Sequence, residues 1–148
     1  MRRDYLPVYA REVGKDLVSY LSEIEPERQT LNETNDCSVV AVSVALGLSY
    51  SESRELLCSH GRRHRGGATS EQIIKAVRST GATCELVLHF LEPWLVKCKT
   101  PISIEKNIPD GNYLVFTSKH VFAVNDGTVM DWTRGRKHRV KLVYRIKK

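Results

Sequence analysis

The sequence predicts an α+β fold, with helices in its first half and an antiparallel β-sheet in its second half. Apolar residues before about position 80 recur at helical spacing. The stretch HVFAVNDGTVMDW, residues 120–132, alternates apolar residues around an Asp-Gly pair, which is typical of a β-hairpin. No repeat or linker divides the 148 residues, so we expect one domain, with residues 1–30 as an N-terminal helical extension.

Two helices are predicted before residue 48. Residues 9–24 place their apolar side chains on one helical face. Pro26 is expected to help end that helix, because proline lacks the N–H group that continues the hydrogen-bond ladder. The second helix is predicted to begin near Cys37, after three small polar residues, and to stop at Gly47.

Two further helices are marked by capping boxes, in which a Ser or Thr precedes a Glu or Gln by three residues. Ser49 and Glu52 have this spacing, and so do Thr69 and Gln72. Gly81 is expected to end the second of these helices.

Strands are predicted throughout the second half. Segments with strand-like composition lie at residues 83–90, 112–118 and 138–146. The hairpin contributes two more strands, joined by Asp126 and Gly127 as a two-residue turn. Because these segments follow the helices and include a hairpin, we expect an antiparallel sheet and not a parallel one.

The hairpin register predicts that two polar side chains meet. With the two-residue turn in place, Phe122 opposes Asp131, so His120 and Asp131 share a face as diagonal neighbours. Their Cα atoms would then lie about 7–8 Å apart. A register shifted by one residue would put Asp131 on the opposite face from His120 and reverse the choice of Asp131 over Asn125, and a structural histidine beside an incidental carboxylate remains an alternative. The opposite, core-facing side of the hairpin is expected to carry Val121, Ala123, Met130 and Trp132.

Cys37 is the cysteine whose position favours reactivity. A helix N-terminus and a cationic histidine both lower the pKa of a thiol, and free N–H groups at a helix start suit an oxyanion. With His120 and Asp131, Cys37 would form a nucleophile, general base and orienting carboxylate, as acyl transfer requires. The alternative is a small buried hydrophobe. That structural role is the one we expect for Cys58, Cys84 and Cys98.

The cysteine pattern indicates reduced thiols, no metal site and no cofactor. The N-terminus lacks the apolar region of a secretory signal, so we expect a cytoplasmic protein, in its own cell or a host cell. No CxxC pair is present, and Cys84, His89 and Cys98 are too loosely spaced to suggest zinc. No apolar stretch approaches the roughly 18 residues of a membrane span, so no membrane partner is expected.

The formal net charge is +6, and much of it lies in two loops, residues 61–67 and 134–141. Such runs suit an anionic partner, either nucleic acid or an acidic protein, although solvated basic loops are the simpler explanation. The candidate contacts are Arg62, Arg63, Arg65, Arg134, Arg136 and Lys137.

The stretches NDCSVVAVSVALG and KHVFAVNDGTVMDW together resemble the papain-like cysteine peptidase superfamily. They are most similar to its small bacterial and phage members, near the bacteriocin-processing peptidases. The resemblance covers residues 32–132 and implies a papain-like fold, with Cys37 as nucleophile, His120 as general base and Asp131 as orienting residue. It further implies hydrolysis or transfer at an amide, isopeptide or thioester carbonyl of a protein or peptide substrate.

One departure from that family concerns the oxyanion donor. Many members have Gln six residues before the cysteine, where this chain has Leu31. Gln29 and Asn32 are the nearby candidates for the role. An inactive papain-like module, which binds nucleic acid or an acidic protein through the basic loops, is the alternative to an enzyme.

Overall fold

The chain has an α+β fold, seen in a computed structural model that describes residues 17–148. Helices α1 Leu17–Thr30, α2 Cys37–Leu46, α3 Tyr50–Ser59 and α4 Ser70–Ser79 precede the sheet. A 3₁₀ helix, Pro93–Lys97, and helix α5, Pro101–Asn107, follow the first strand. The predicted helix over residues 9–24 lies outside the described residues in its first part.

One sheet contains every strand of the described residues. Its strands are β1 Thr83–Leu86, β2 Asn112–Phe116, β3 Val121–Asn125, β4 Thr128–Val129 and β5 Leu142–Lys147. Their order is β1-β5-β2-β3-β4, and every neighbouring pair is antiparallel. The last strand therefore lies inside the sheet, while β1 and β4 form its edges.

Helix α2 is the central helix and determines where the site lies. Its sequence is apolar or small on all sides, and residues 38–46 are buried. It packs on β3, where Val121 and Ala123 face it. Phe122 and Val124 point to the other face of the sheet and pack with Ile104 of α5. The end of α2 lies at the end of β3, because Asn112, which pairs with Asn125, donates to Ala45 O. The start of the helix therefore lies close to the start of the strand.

The predicted end of the first helix at Pro26 is wrong, because α1 continues through it to its last residue, Thr30. A proline inside a helix costs about 3 kcal/mol. Tertiary contacts made by the turn after Pro26 offset this cost. The Glu27 carboxylate accepts hydrogen bonds from the Ser51 backbone and hydroxyl, and Arg28 pairs with Asp36.

The other predicted helix boundaries are confirmed by local geometry. Gly47 adopts a left-handed conformation with φ 68°, and its N–H group donates to Ser43 O. Both predicted capping boxes are formed, at the starts of α3 and α4. Gly81, with φ 90°, lies two residues beyond the end of α4.

The hairpin turn and its register are confirmed, but the ladder is short. Asp126 and Gly127 both have positive φ, and Val124 pairs with Val129. Residues 131–135 then form turns, so the predicted pairing of Phe122 with Asp131 is absent.

The strand alternation ends with this ladder. Trp132 was expected in the core but is 44% exposed, whereas Val121, Ala123 and Met130 are buried. The flanking strands are also shorter than predicted, since β1 ends at Leu86 and β5 begins at Leu142, and only single hydrogen bonds, from Val87 to Val143 and from Lys141 to Phe116, continue the pairing beyond them. Within residues 17–148, no helix has both the length and the apolar character needed to cross a membrane.

Candidate active site

Cys37 is the first residue of α2, and the residue before it does not cap the helix with its side chain. Asp36 occupies the N-cap position, but its carboxylate accepts hydrogen bonds from Arg28, at 2.6 and 3.0 Å, and from the Tyr50 hydroxyl, at 2.6 Å. Burial raises the pKa of Asp36, but these hydrogen bonds outweigh it and the net pKa is lowered. The N–H groups of the first turn are therefore not occupied by the N-cap side chain.

His120 and Asp131 are in direct contact. The Nε2 group of His120 donates to Oδ2 of Asp131 at 2.8 Å. The same oxygen accepts from the Thr133 backbone N–H at 2.9 Å and from its hydroxyl at 2.6 Å. Asp131 is buried, and its orientation is fixed through Oδ2 alone, since its Oδ1 has no hydrogen-bond partner. Sequence parity placed the two residues on one face, and the turn after β4 brings them together.

The His120 ring also interacts with the Cys37 thiol, which lines the same two cavities. Because Asp131 occupies Nε2, Nδ1 is the ring nitrogen that remains for the sulfur. Burial lowers the pKa of His120, but hydrogen bonds to Asp131 and Cys37 outweigh it and raise the pKa to about 10. The imidazole is therefore cationic at neutral pH, and a cationic imidazole beside a thiol stabilises the thiolate.

Two cavities meet at Cys37 and His120. One, of about 310 Å³, extends between α4 and the turn that connects β2 to β3. The other, of about 550 Å³, extends towards α1 and is lined by Arg28, Asn35 and Trp132. Because the two cavities share Cys37 and His120, these residues lie in the middle of a groove that extends to both sides.

Trp132 and Arg28 belong to this site, although sequence reasoning did not place them there. The Trp132 ring lies 5.9 Å from the His120 ring. The Arg28 guanidinium lies 5.5 Å from the centroid of the Trp132 ring and also pairs with Asp36. Helix α1 thus contributes Arg28 to the site. The sequence signal for both is adjacency. Trp132 directly follows Asp131, and Asp36, the partner of Arg28, directly precedes Cys37.

The two predicted oxyanion donors line neither cavity that contains Cys37. Gln29 lies on an exposed part of α1, where its amide donates to Glu25 at 3.3 Å, because the helix continues past Pro26. Asn32 is exposed in the turn after α1. Asn35 is the amide side chain that lines the groove, and its Nδ2 donates to Arg65 O at 3.0 Å.

Arg62 was predicted to contact an anionic partner, but it is buried. Its guanidinium pairs with the buried Glu33 carboxylate at 2.9 Å and donates to Thr34 O at 3.2 Å. Arg54 and the Arg65 backbone N–H also donate to Glu33. The loop of residues 61–67 is thereby fastened to the segment before Cys37. Fastening the loop in this way requires a buried Arg62, because the buried Glu33 carboxylate would be costly without a paired cation.

The remaining basic candidates differ in exposure. Arg134 is half-buried and pairs with Glu105 at 2.7 Å. Arg63, Arg65, Arg136 and Lys137 are exposed. The surface available to an anionic partner is therefore smaller than the sequence predicted.

The four cysteines are free, and Cys84 and Cys98 are buried as expected. Burial raises the pKa of both, to about 11 for Cys98. Among residues 17–148, no group of three or more His, Cys, Asp or Glu side chains is arranged to hold a metal ion.

Comparisons of the chain with protein-family models, with curated proteins and with solved structures gave no match.

Proposed function

We propose that this chain is a papain-like cysteine hydrolase that acts at an amide, isopeptide or thioester carbonyl of a protein or peptide. The observation that carries the proposal is one imidazole that bonds the Asp131 carboxylate at 2.8 Å and lies beside the Cys37 thiol on the walls of the same two cavities. The thiol begins a buried helix and lies in the middle of an open groove. These features match the requirements of a thiolate nucleophile.

In this mechanism the Cys37 thiolate attacks the carbonyl carbon, and the carbonyl oxygen becomes an oxyanion. The Cys37 backbone N–H and the Asn35 amide are the donors proposed to hold it. As the tetrahedral intermediate collapses, His120 gives its proton to the leaving group and an acyl-enzyme forms. Water then attacks the acyl carbonyl while His120 takes a proton, and the thiolate is released.

Asp131 keeps the imidazole in a fixed orientation throughout. With Nε2–H held by Asp131, Nδ1 exchanges the proton with the reacting groups. Because Thr133 donates twice to the same carboxylate oxygen, that oxygen does not depend on His120 for its position.

The test is the pH dependence of alkylation at each cysteine, measured by mass spectrometry in the wild type and in His120→Ala. Cys37 should react fast near neutral pH, and His120→Ala should remove that advantage, because the imidazolium that stabilises the thiolate is lost. Cys58 is the internal control, since it is also free and half-buried. If Cys37 reacts no faster than Cys58 in the folded wild type, the chain does not hold an activated thiol and the proposal fails.

A further inference from the structure

Exposed apolar side chains concentrate at the β1 edge of the sheet. Of the seven large apolar side chains that are exposed in the described part of the chain, six lie in or beside β1, the 3₁₀ helix and β5. The seventh is Trp132 in the groove. Contiguous exposed apolar surface marks interaction sites, and an edge strand is open to a partner chain. The six are Leu86, Leu88, Phe90, Leu91, Val96 and Leu142.

A cavity of about 310 Å³, which we call the β1-edge cavity, lies at this surface. Its apolar lining includes Leu88, Leu95 and Val140. The ionisable side chains at its wall are basic or neutral, and among the described residues no carboxylate lines it. An apolar cavity with a basic wall is complementary to a segment that carries both apolar and acidic side chains. The titratable residues of the wall, apart from the buried Cys98, are His89, Lys99, Arg139 and Lys141.

This cavity adjoins the groove at Cys37. Lys141 and Leu142 line both the β1-edge cavity and the cavity that contains Cys37 and His120. A polypeptide in the groove can therefore extend past Leu142 into the β1-edge cavity without leaving the surface.

The accessible charged side chains of the groove at Cys37 are positive, like those of the β1-edge cavity. Lys119 lines both cavities that meet at Cys37. Among the described residues, the one carboxylate that lines them is Asp36, which is buried and bound by Arg28 and Tyr50. Its charge is therefore already compensated, and the accessible charges along the whole path are positive.

We propose that the β1-edge cavity is a docking site for an acidic and apolar segment of the polypeptide substrate, at a distance from the bond that reacts. The link to catalysis rests on the proposed function. A polypeptide fits better than a membrane surface, because three of the exposed apolar side chains, Leu86, Leu88 and Leu142, line a concave cavity that adjoins the groove. Nucleic acid would leave that apolar lining without a complementary group.

The test uses the Cys37→Ala chain, which cannot cleave, and three fluorescein-labelled peptides of equal length. One peptide alternates Leu and Phe with Glu; the second has Lys for Glu; the third has Ser for Leu and Phe. Fluorescence anisotropy should show the first binding at least about tenfold more tightly than the other two. Adding Arg139→Glu or Leu88→Ser should weaken it about tenfold, whereas the control Lys106→Glu, exposed on α5 outside the cavity, should not.

Three results would overturn the docking site. The first is equal affinity for the three peptides, or affinity unchanged by both cavity variants. The second is binding to phosphatidylserine-containing vesicles without binding to any peptide, which would make the surface a membrane contact. The third is self-association that Leu88→Ser abolishes while the peptides do not bind, which would assign the cavity to a second copy of the chain.

Hydrolysis by the wild type separates this proposal from the proposed function. If the Cys37→Ala chain binds the acidic, apolar peptide but the wild type hydrolyses nothing, docking stands and the hydrolase fails. If the wild type hydrolyses short substrates but no peptide binds at the cavity, the hydrolase stands and docking fails. If both stand, Arg139→Glu should raise KM for a substrate that carries the acidic, apolar extension and leave kcat unchanged.

Discussion

The Asp131 carboxylate holds His120 Nε2 at 2.8 Å although strand pairing has ended two residues earlier, at Val129. The turn that begins at Asp131 supplies the geometry, because Thr133 folds back and donates to the same oxygen through its backbone and its hydroxyl. The early end of β4 therefore helps to position Asp131 against His120. A longer ladder would keep the residues after Val129 extended along the sheet.

Replacing Asp131 by Asn should reduce activity less than replacing Cys37 or His120 by Ala. The amide would keep the size of the side chain but remove the charge that supports the imidazolium. We expect kcat/KM to fall by about 10²–10⁴ for Asp131→Asn, and activity to be lost in Cys37→Ala and His120→Ala. The His120 pKa, followed by NMR of the ring protons, should fall in the same Asp131→Asn protein. A kcat/KM in Asp131→Asn equal to that of the wild type would show that Asp131 does not support catalysis.

The raised pKa of His120 makes stability depend on pH above neutrality. The folded-state pKa, about 10, exceeds the ordinary value of 6.5, so protonation favours the folded state. That contribution is complete below about pH 6.5 and is lost as pH rises to about 10. Each pH unit inside this window removes up to about 1.4 kcal/mol from the free energy of unfolding.

Urea unfolding of the wild type and His120→Gln between about pH 6 and pH 10 would measure this effect. The stability difference between the two proteins should shrink as pH rises, by a few kcal/mol in total. All other titrating groups are present in both proteins, so the difference reports on His120 together with its partners Asp131 and Cys37. Two parallel curves of stability against pH would show that His120 does not gain its partners on folding.

Local sequence signals located most helix boundaries, and non-local contacts decided the rest. Capping boxes and the Asp-Gly turn involve residues a few positions apart, so their geometry could be read from the chain. Pro26 stays inside a helix because of partners in other segments. Arg62 becomes buried through Glu33, which lies 29 residues away. Neither partner is indicated by spacing or composition.

In the candidate site, too, local signals could be read from the sequence and non-local contacts could not. The placement of Cys37 at a helix start and of His120 with Asp131 followed from the cap residues, the turn and the parity of strands. Arg28 and Trp132 could not be found in that way, because their contact joins the first described helix to the turn after β4. Asn35 faces the groove through a backbone with positive φ, which the sequence alone does not reveal.

Replacing Glu33 by Gln should destabilise the chain strongly. It leaves the buried Arg62 guanidinium without its carboxylate, and loss of one partner of a buried pair costs about 3–5 kcal/mol. The matched control is Glu71→Gln, which breaks the exposed Glu71–Lys75 pair on α4 and should cost far less, because exposed ion pairs contribute little to stability. Denaturant unfolding at neutral pH measures both. Equal losses in the two variants would show that the Glu33 cluster does not hold the loop.

The exposed basic residues give the last prediction, which concerns the binding-module alternative. Arg62 and Arg134 are already paired with carboxylates, so a phosphate backbone would have to be held by the exposed remainder, such as Arg63 and Arg136. Few phosphate contacts mean weak binding with a shallow salt dependence, because the salt slope scales with the number of phosphates neutralised. We expect a fluorescent DNA duplex to bind detectably only at low salt, and Arg63→Glu with Arg136→Glu to weaken that binding further. Titrations at several salt concentrations would measure both effects. Tight binding at physiological salt that survives both charge reversals would contradict this and point to a nucleic-acid surface elsewhere on the chain.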